Sequence, residues 1–245
     1  APGNVLPLDD KVGLHPALTR LKARYDRGKV AVVQGAGYEP PDFSHFTSGA
    51  LMMQGWGGTG AGPMSGWLGR FLDGLPNAAT EPLYGVALDD STPLSLVGSR
   101  LNPSSLPLWI DGGFGVNTSD ASMRRIARNV AAYADERTGL GQWGDAVARV
   151  QRDIVDLAQR VKPAYTDALP DGDEWFPRQI ALAANLINLN LGIRVLHTTV
   201  DGFDTHTNQP DKHASLMDQI DRGLEQFFTT LTRQWRRQKI GRAHV

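Results

Sequence analysis

This chain of 245 residues contains no cysteine, and none of its apolar runs approaches the roughly 20 residues that a membrane-spanning helix requires. The lack of cysteine excludes disulfide bonds and thiolate metal sites, so any metal ion must take oxygen and imidazole ligands. Neither sign of charge is in excess, because the formal net charge is −1 at pH 7. This balance argues against a nucleic-acid partner. The G-x-S-x-G motif of α/β-hydrolase nucleophiles is absent as well.

Both ends of the sequence have unusual features. The chain begins at Ala1, not Met, within a loop-like stretch, so we expect the gene to start further upstream. At the other end, Ile240–Val245 match the translation of a common sequencing-library adapter, although a natural tail that matches by chance is the alternative. We therefore expect one domain over residues 1–238, truncated at both ends, with residues 239–245 not native.

Helical periodicity alternates with short apolar runs along the chain, which is typical of an α/β fold. We found no internal repeat and no linker that would split the chain into two domains. The predicted helices are Pro16–Arg27, the segment after Ser44 up to Gln54, Met64–Leu75, Ala121–Tyr133, Trp143–Val161, Asp173–Gly192 and Ala214–Trp235. The predicted strands are Val30–Gln34, Leu83–Leu88, Pro93–Val97, Leu106–Ile110 and Val195–Val200.

The stretch Arg194–His213 has the highest density of candidate catalytic or metal-binding side chains. Its apolar, β-branched run ends abruptly, and Asp204, His206 and His213 follow. A loop after a buried strand is where α/β proteins usually place their functional groups, and carboxylate with imidazole is a common ligand pair for Zn²⁺. These three residues are candidate metal ligands. Two alternatives stay open: Asp204 and His206 as turn formers, and His213 as a supporting residue or phosphate contact.

A second candidate site lies at the start of the helix that follows the predicted strand Val30–Gln34. Ser44 is a good N-cap residue and His45 follows it directly. The first turn of a helix presents unpaired amides and a positive dipole end, which favour an anion. An ordinary capped helix is the alternative reading. The glycine-rich stretch Gly55–Pro63 matches neither phosphate-binding fingerprint.

Five short motifs occur in a fixed order along the chain. They are GLHPAL at 13–18, VAVVQGAGY at 30–38, SHF at 44–46, GWLGR at 66–70 and GFDTH at 202–206. In this order they resemble the bacterial domain-of-unknown-function family 1501, which is grouped with the alkaline phosphatase and sulfatase superfamily. The resemblance implies a three-layer α/β/α sandwich with a mainly parallel sheet, divalent metal ions such as zinc at the carboxyl ends of strands, and an exported protein, often with a twin-arginine signal.

The resemblance also implies roles for the candidate residues. Asp204 and His206 match a metal-binding pair, and Ser44 and His45 lie where a nucleophile or a contact to a small anionic ester is expected. The family's Asp-bearing first strand, Ser-Glu-Phe-Gly-Arg-like strand end and Asp-His-Gly motif are absent. We therefore expect a fragment of an exported, metal-dependent phosphatase- or sulfatase-like hydrolase, inactive as this chain. The alternative is a non-catalytic exported binding or accessory protein on the same fold.

Overall fold

The computed structural model describes residues 5–57, 62–108, 141–166 and 175–232, together with the isolated positions 121, 125–126, 128–130, 132, 139 and 169. The predicted helix Ala121–Tyr133 lies largely outside the described residues, as do the suspected adapter residues at the end of the chain.

In the described residues, five short strands, six α-helices and three turns of 3₁₀ helix have assigned bounds. The strands are β1 (Leu6–Pro7), β2 (Gly13–Leu14), β3 (Gly85–Ala87), β4 (Ser104–Ser105) and β5 (Val195–His197). The helices are α1 (Thr19–Tyr25), α2 (His45–Gln54), α3 (Trp67–Asp73), α4 (Gly141–Thr166), α5 (Trp175–Asn188) and α6 (Gln209–Thr230).

Strands β3, β4 and β5 form a small parallel sheet in the order β4-β3-β5. In its register, Val86 lies opposite Ser104 on one side and Leu196 on the other. Val86 belongs to a core cluster with buried side chains of α4, α5 and α6, whereas Ala87 belongs to a second cluster with Leu72 of α3. Because side chains alternate along a strand, helices cover both faces of the sheet. The fold is therefore mixed α/β with a parallel sheet, as the sequence predicts.

The predicted buried strand Val30–Gln34 is wrong. This segment has no assigned secondary structure, and the Val33 side chain is 82% exposed. An apolar run forms a buried strand only where a neighbouring strand supplies backbone partners. None of the described strands pairs with this segment.

The predicted strand Pro93–Val97 is also incorrect. Leu94–Leu96 forms a turn of 3₁₀ helix in place of a strand, because Leu96 N–H donates to the Pro93 carbonyl at 3.0 Å. The apolar pattern there reflects the burial of Leu96 against α3. Of the predicted strand Leu106–Ile110, the structure describes Leu106–Leu108, where the Leu106 N–H donates to the Ala87 carbonyl at 2.8 Å. Pro107 then has no N–H to continue the ladder.

The long helices match the predicted segments with shifted ends. Helix α4 contains the whole predicted segment, but its apolar stripe divides: Val161 is buried, whereas Trp143 is 78% exposed. Helix α6 starts at Gln209 with Pro210 in its first turn, five residues before the predicted start. His213 therefore lies on the helix and not in the loop before it. Among the described helices, none combines the length and the apolarity needed to cross a membrane.

Helix α1 docks on α6 through Asp221, whose side chain is fully buried. The carboxylate accepts the N–H groups of Arg20 at 3.0 Å and Leu21 at 2.7 Å, which lie in the first turn of α1. An ion pair of 2.6 Å between Arg24 and Glu225 adds a second link. These contacts hold the N-terminal segment against the helix that follows the candidate site loop.

Candidate functional site

The loop after β5 brings Asp204 and His206 into direct contact. Gly202 has a φ of 96°, a left-handed conformation that favours glycine and turns the chain just before the pair. His206 Nε2 lies 2.8 Å from Asp204 Oδ1. Both side chains are mainly exposed, at 81% for His206 and 61% for Asp204. The loop therefore presents a carboxylate–imidazole pair to solvent, beyond the carboxyl end of a parallel strand.

This pair is close to the spacing that a metal ion requires. In a tetrahedral zinc site, a carboxylate oxygen and an imidazole nitrogen bound to the same ion lie about 3.3 Å apart. The observed 2.8 Å separation between His206 Nε2 and Asp204 Oδ1 is shorter than this, and a small opening of the two side chains would admit an ion. The described residues contain no cluster of three or more histidine, cysteine, aspartate or glutamate side chains placed to hold a metal.

His213 lies beside the same loop through ring contacts. Its imidazole packs edge-on against Phe203, the neighbour of Asp204, with ring centres 6.1 Å apart. On α6 it also meets His15, from the segment between β2 and α1, with ring centres 5.3 Å apart. Within the described residues, no hydrogen bond or ion pair joins His213 to Asp204 or His206. His15 was not predicted as a site residue, although it lies in the GLHPAL motif on which the family resemblance partly rests.

Ser44 and His45 lie at the start of α2, as the sequence predicts. The Ser44 hydroxyl oxygen accepts the Thr47 N–H at 3.3 Å, so Ser44 is the N-cap of the helix. The Ser44 N–H in turn donates to the Asp42 carboxylate at 2.7 Å. His45 is exposed. In the part of the chain that the structure describes, neither residue makes a hydrogen bond or ion pair with the Asp204–His206 loop.

His197, at the end of β5, was also missed by the sequence analysis. Its Nδ1 atom is buried and has no hydrogen-bond partner among the described residues. Burial lowers the pKa of His197, and the negative charge of Asp89 acts in the opposite direction. The imidazole is therefore kept neutral at neutral pH. Only the strand register determines that this side chain turns inward, and the sequence pattern did not reveal it.

A groove of about 200 Å³ lies elsewhere, between β4 and α4. It is lined by small and apolar side chains together with Asp153, and none of the predicted site residues borders it. The groove therefore does not extend the candidate site.

The fold and the loop define an α/β protein with a carboxylate–imidazole pair beyond the end of a parallel strand. A family model described as "protein of unknown function (DUF1501)" matches residues 4–237. The match covers nearly the whole chain, and the chain belongs to this family. It ends before the suspected adapter residues Ile240–Val245. No curated protein and no solved structure matches the chain.

Proposed function

We propose that this protein is an exported, metal-dependent hydrolase of phosphoric or sulfuric esters, with an alkaline phosphatase-like α/β/α architecture. Asp204, His206 and His213 are its candidate metal ligands, with zinc as the favoured ion. The observation that carries the proposal is the 2.8 Å contact between Asp204 and His206 on the loop that follows a parallel strand. Ligands in open α/β sheets bind at this edge. The export of the protein is inferred from the family resemblance.

Ser44 and His45 are the proposed contacts for the anionic ester, because they lie at the N-terminal end of α2, where the helix dipole favours negative charge. A bound metal ion would supply Lewis-acid activation of an oxygen nucleophile. Ser44 and His45 make no direct bond with the exposed Asp204–His206 pair. We therefore expect weak metal affinity and no measurable ester turnover by the 245-residue chain.

Calorimetric titration with Zn²⁺ tests the metal site. Asp204→Asn and His206→Gln each remove one ligand, and we expect each to weaken binding by more than about tenfold. Asp201→Asn is the matched control, because it neutralises another exposed carboxylate of the same loop. Equal affinities for the wild type and Asp204→Asn would refute the site. Zinc-dependent hydrolysis of p-nitrophenyl phosphate or sulfate by this chain would contradict the expected inactivity.

The second candidate function is a non-catalytic exported binding or accessory protein. It is favoured by the fact that three of the site residues already have structural contacts: Asp204 and His206 contact each other, and Ser44 caps α2. On this alternative, Zn²⁺ leaves the melting temperature unchanged, because an ion that does not bind the folded state cannot stabilise it. Asp204→Ala and His206→Ala would then leave partner binding intact.

A further inference from the structure

We propose that His15 and His213 together bind a divalent cation of the zinc type through their imidazole rings. This inference deepens the proposed function, on which it rests for the assignment of His213 as a ligand. It adds a residue from the N-terminal segment, far from the site loop in the sequence. The site would use nitrogen ligands that come from two different elements of the fold.

The geometry of the two rings carries the inference. Their centres lie 5.3 Å apart and their planes meet at 74°. When two imidazoles bind one tetrahedral zinc ion, each ring centre lies about 3.2 Å from the ion, so the two centres are about 5 Å apart. The observed separation of the His15 and His213 ring centres lies close to that of a two-histidine zinc site, and it also lies within the range of edge-to-face ring packing.

The surrounding structure holds the two histidines in this arrangement. His15 belongs to the turn before α1, where its carbonyl oxygen accepts the Leu18 N–H at 2.9 Å. Helix α1 is fixed on α6, the helix of His213, by the buried Asp221. The Phe203 ring packs edge-on against His213 and restricts its rotation. The segments that carry His15 and His213 are therefore already held next to each other.

The protonation of His15 sets a condition on binding. Its Nδ1 atom accepts the Ala17 N–H at 3.2 Å, so in the neutral ring the proton lies on Nε2. Coordination through Nε2 requires the other neutral tautomer, with the proton on Nδ1, at the expense of the hydrogen bond from the Ala17 N–H. With two protein ligands, water or ester oxygens complete the coordination sphere. We expect an affinity for Zn²⁺ that is micromolar or weaker, because only two protein side chains hold the ion.

Titration of the 245-residue chain with Zn²⁺ and Co²⁺ tests the inference. His15→Phe and His213→Phe keep an aromatic ring in place and remove the nitrogen ligands. We expect each to weaken Zn²⁺ binding by more than about tenfold and to abolish the nitrogen-ligated Co²⁺ absorption spectrum. Asp201→Asn changes an exposed residue of the loop that is not a proposed ligand and should bind Zn²⁺ like the wild type. Circular dichroism confirms that each variant is folded. Wild-type binding by His15→Phe would overturn the inference.

Two further variants, Asp204→Asn and His206→Phe, separate this inference from the proposed function. Loss of binding in His15→Phe and His213→Phe, with binding retained in Asp204→Asn and His206→Phe, would support the two-histidine site and refute the Asp204–His206 site. Loss of Zn²⁺ binding in His213→Phe, Asp204→Asn and His206→Phe, with binding retained in His15→Phe, would support the Asp204–His206 site and refute the two-histidine site. The absence of any metal signal from the wild-type chain would overturn both.

Discussion

Asp221 links two elements that are separated by about 200 residues. Its side chain has no exposed surface and accepts the N–H groups of Arg20 and Leu21 as well as a guanidinium hydrogen bond of 3.3 Å from Arg20. The first amides of α1 have no partner within their own helix. A carboxylate contributed by α6 satisfies them, and the same contact positions His15 next to His213.

We predict that Asp221→Asn lowers the free energy of unfolding by about 2 kcal/mol or more, because the amide presents a donor where a second acceptor is required. Asp218→Asn is the matched control on the same helix. Asp218 forms a partly exposed pair of 2.7 Å with Arg222, and its loss should cost less than about 0.5 kcal/mol. Urea denaturation measures both values. Equal losses would show that the buried contact does not anchor α1.

Helix α4 shows how one apolar stripe can have two environments. Val147 and Val161 belong to the same stripe, but Val147 is 54% exposed and Val161 only 1%. The C-terminal part of the helix, around Val161, belongs to the core cluster that covers β3, whereas the N-terminal part, around Val147, extends beyond that cluster. Equal spacing in the sequence therefore does not mean equal burial.

Substitution of these two valines tests this division directly. Val161→Ala should lower the free energy of unfolding by about 2 kcal/mol, because it leaves a cavity in the core. Val147→Ala should leave stability unchanged or raise it by about 0.5 kcal/mol, since alanine is the better helix former. Thermal or urea denaturation compares the two variants. A large loss for Val147→Ala would show that its side chain is packed in solution.

Helices were easier to predict than strands because helical hydrogen bonds are local. The periodicity of α4 and α5 was sufficient to find them, whereas the run Val30–Gln34 required a partner strand that its own sequence does not specify. In the candidate site, too, local contacts were easier to predict than contacts between distant segments. The turn at Gly202 and the short spacing made contact between Asp204 and His206 predictable. The meeting of His15 with His213 depends on α1 docking on α6, which no local pattern reports.

Among the residues that the structure describes, Asp73 and His197 have lowered pKa values that bear on the response to acid. Partial burial alone would raise the pKa of Asp73, but hydrogen bonds from the N–H groups of Ser99, Leu101 and Arg100 outweigh it and hold the pKa at about 2, against an ordinary value of 3.8. Asp73 therefore binds fewer protons when the protein is folded. Its contribution to stability is complete above pH 3.8 and is lost as the pH falls towards 2.

His197 acts at higher pH by the same principle. Burial lowers its pKa below the ordinary 6.5, so the unfolded chain binds a proton that the folded protein excludes. Stability is therefore greatest above pH 6.5 and declines as the pH falls below it. The charge of Asp89 partly opposes the effect of burial. Removal of this charge should therefore lower the pKa of His197 further and increase the loss of stability below pH 6.5. The protein should thus lose stability in two separate acid ranges.

We predict that His197→Phe flattens the decline of the urea midpoint between pH 7 and pH 5, because the variant has no group at this position to take up a proton. Asp89→Asn should steepen the decline, since no carboxylate charge then favours the protonated imidazole. His45→Phe, at an exposed position, is the control and should follow the wild-type profile. Parallel profiles for the wild type and His197→Phe would show that the buried imidazole does not control stability in this range. Because each variant is compared with itself across pH, any constant effect on packing cancels.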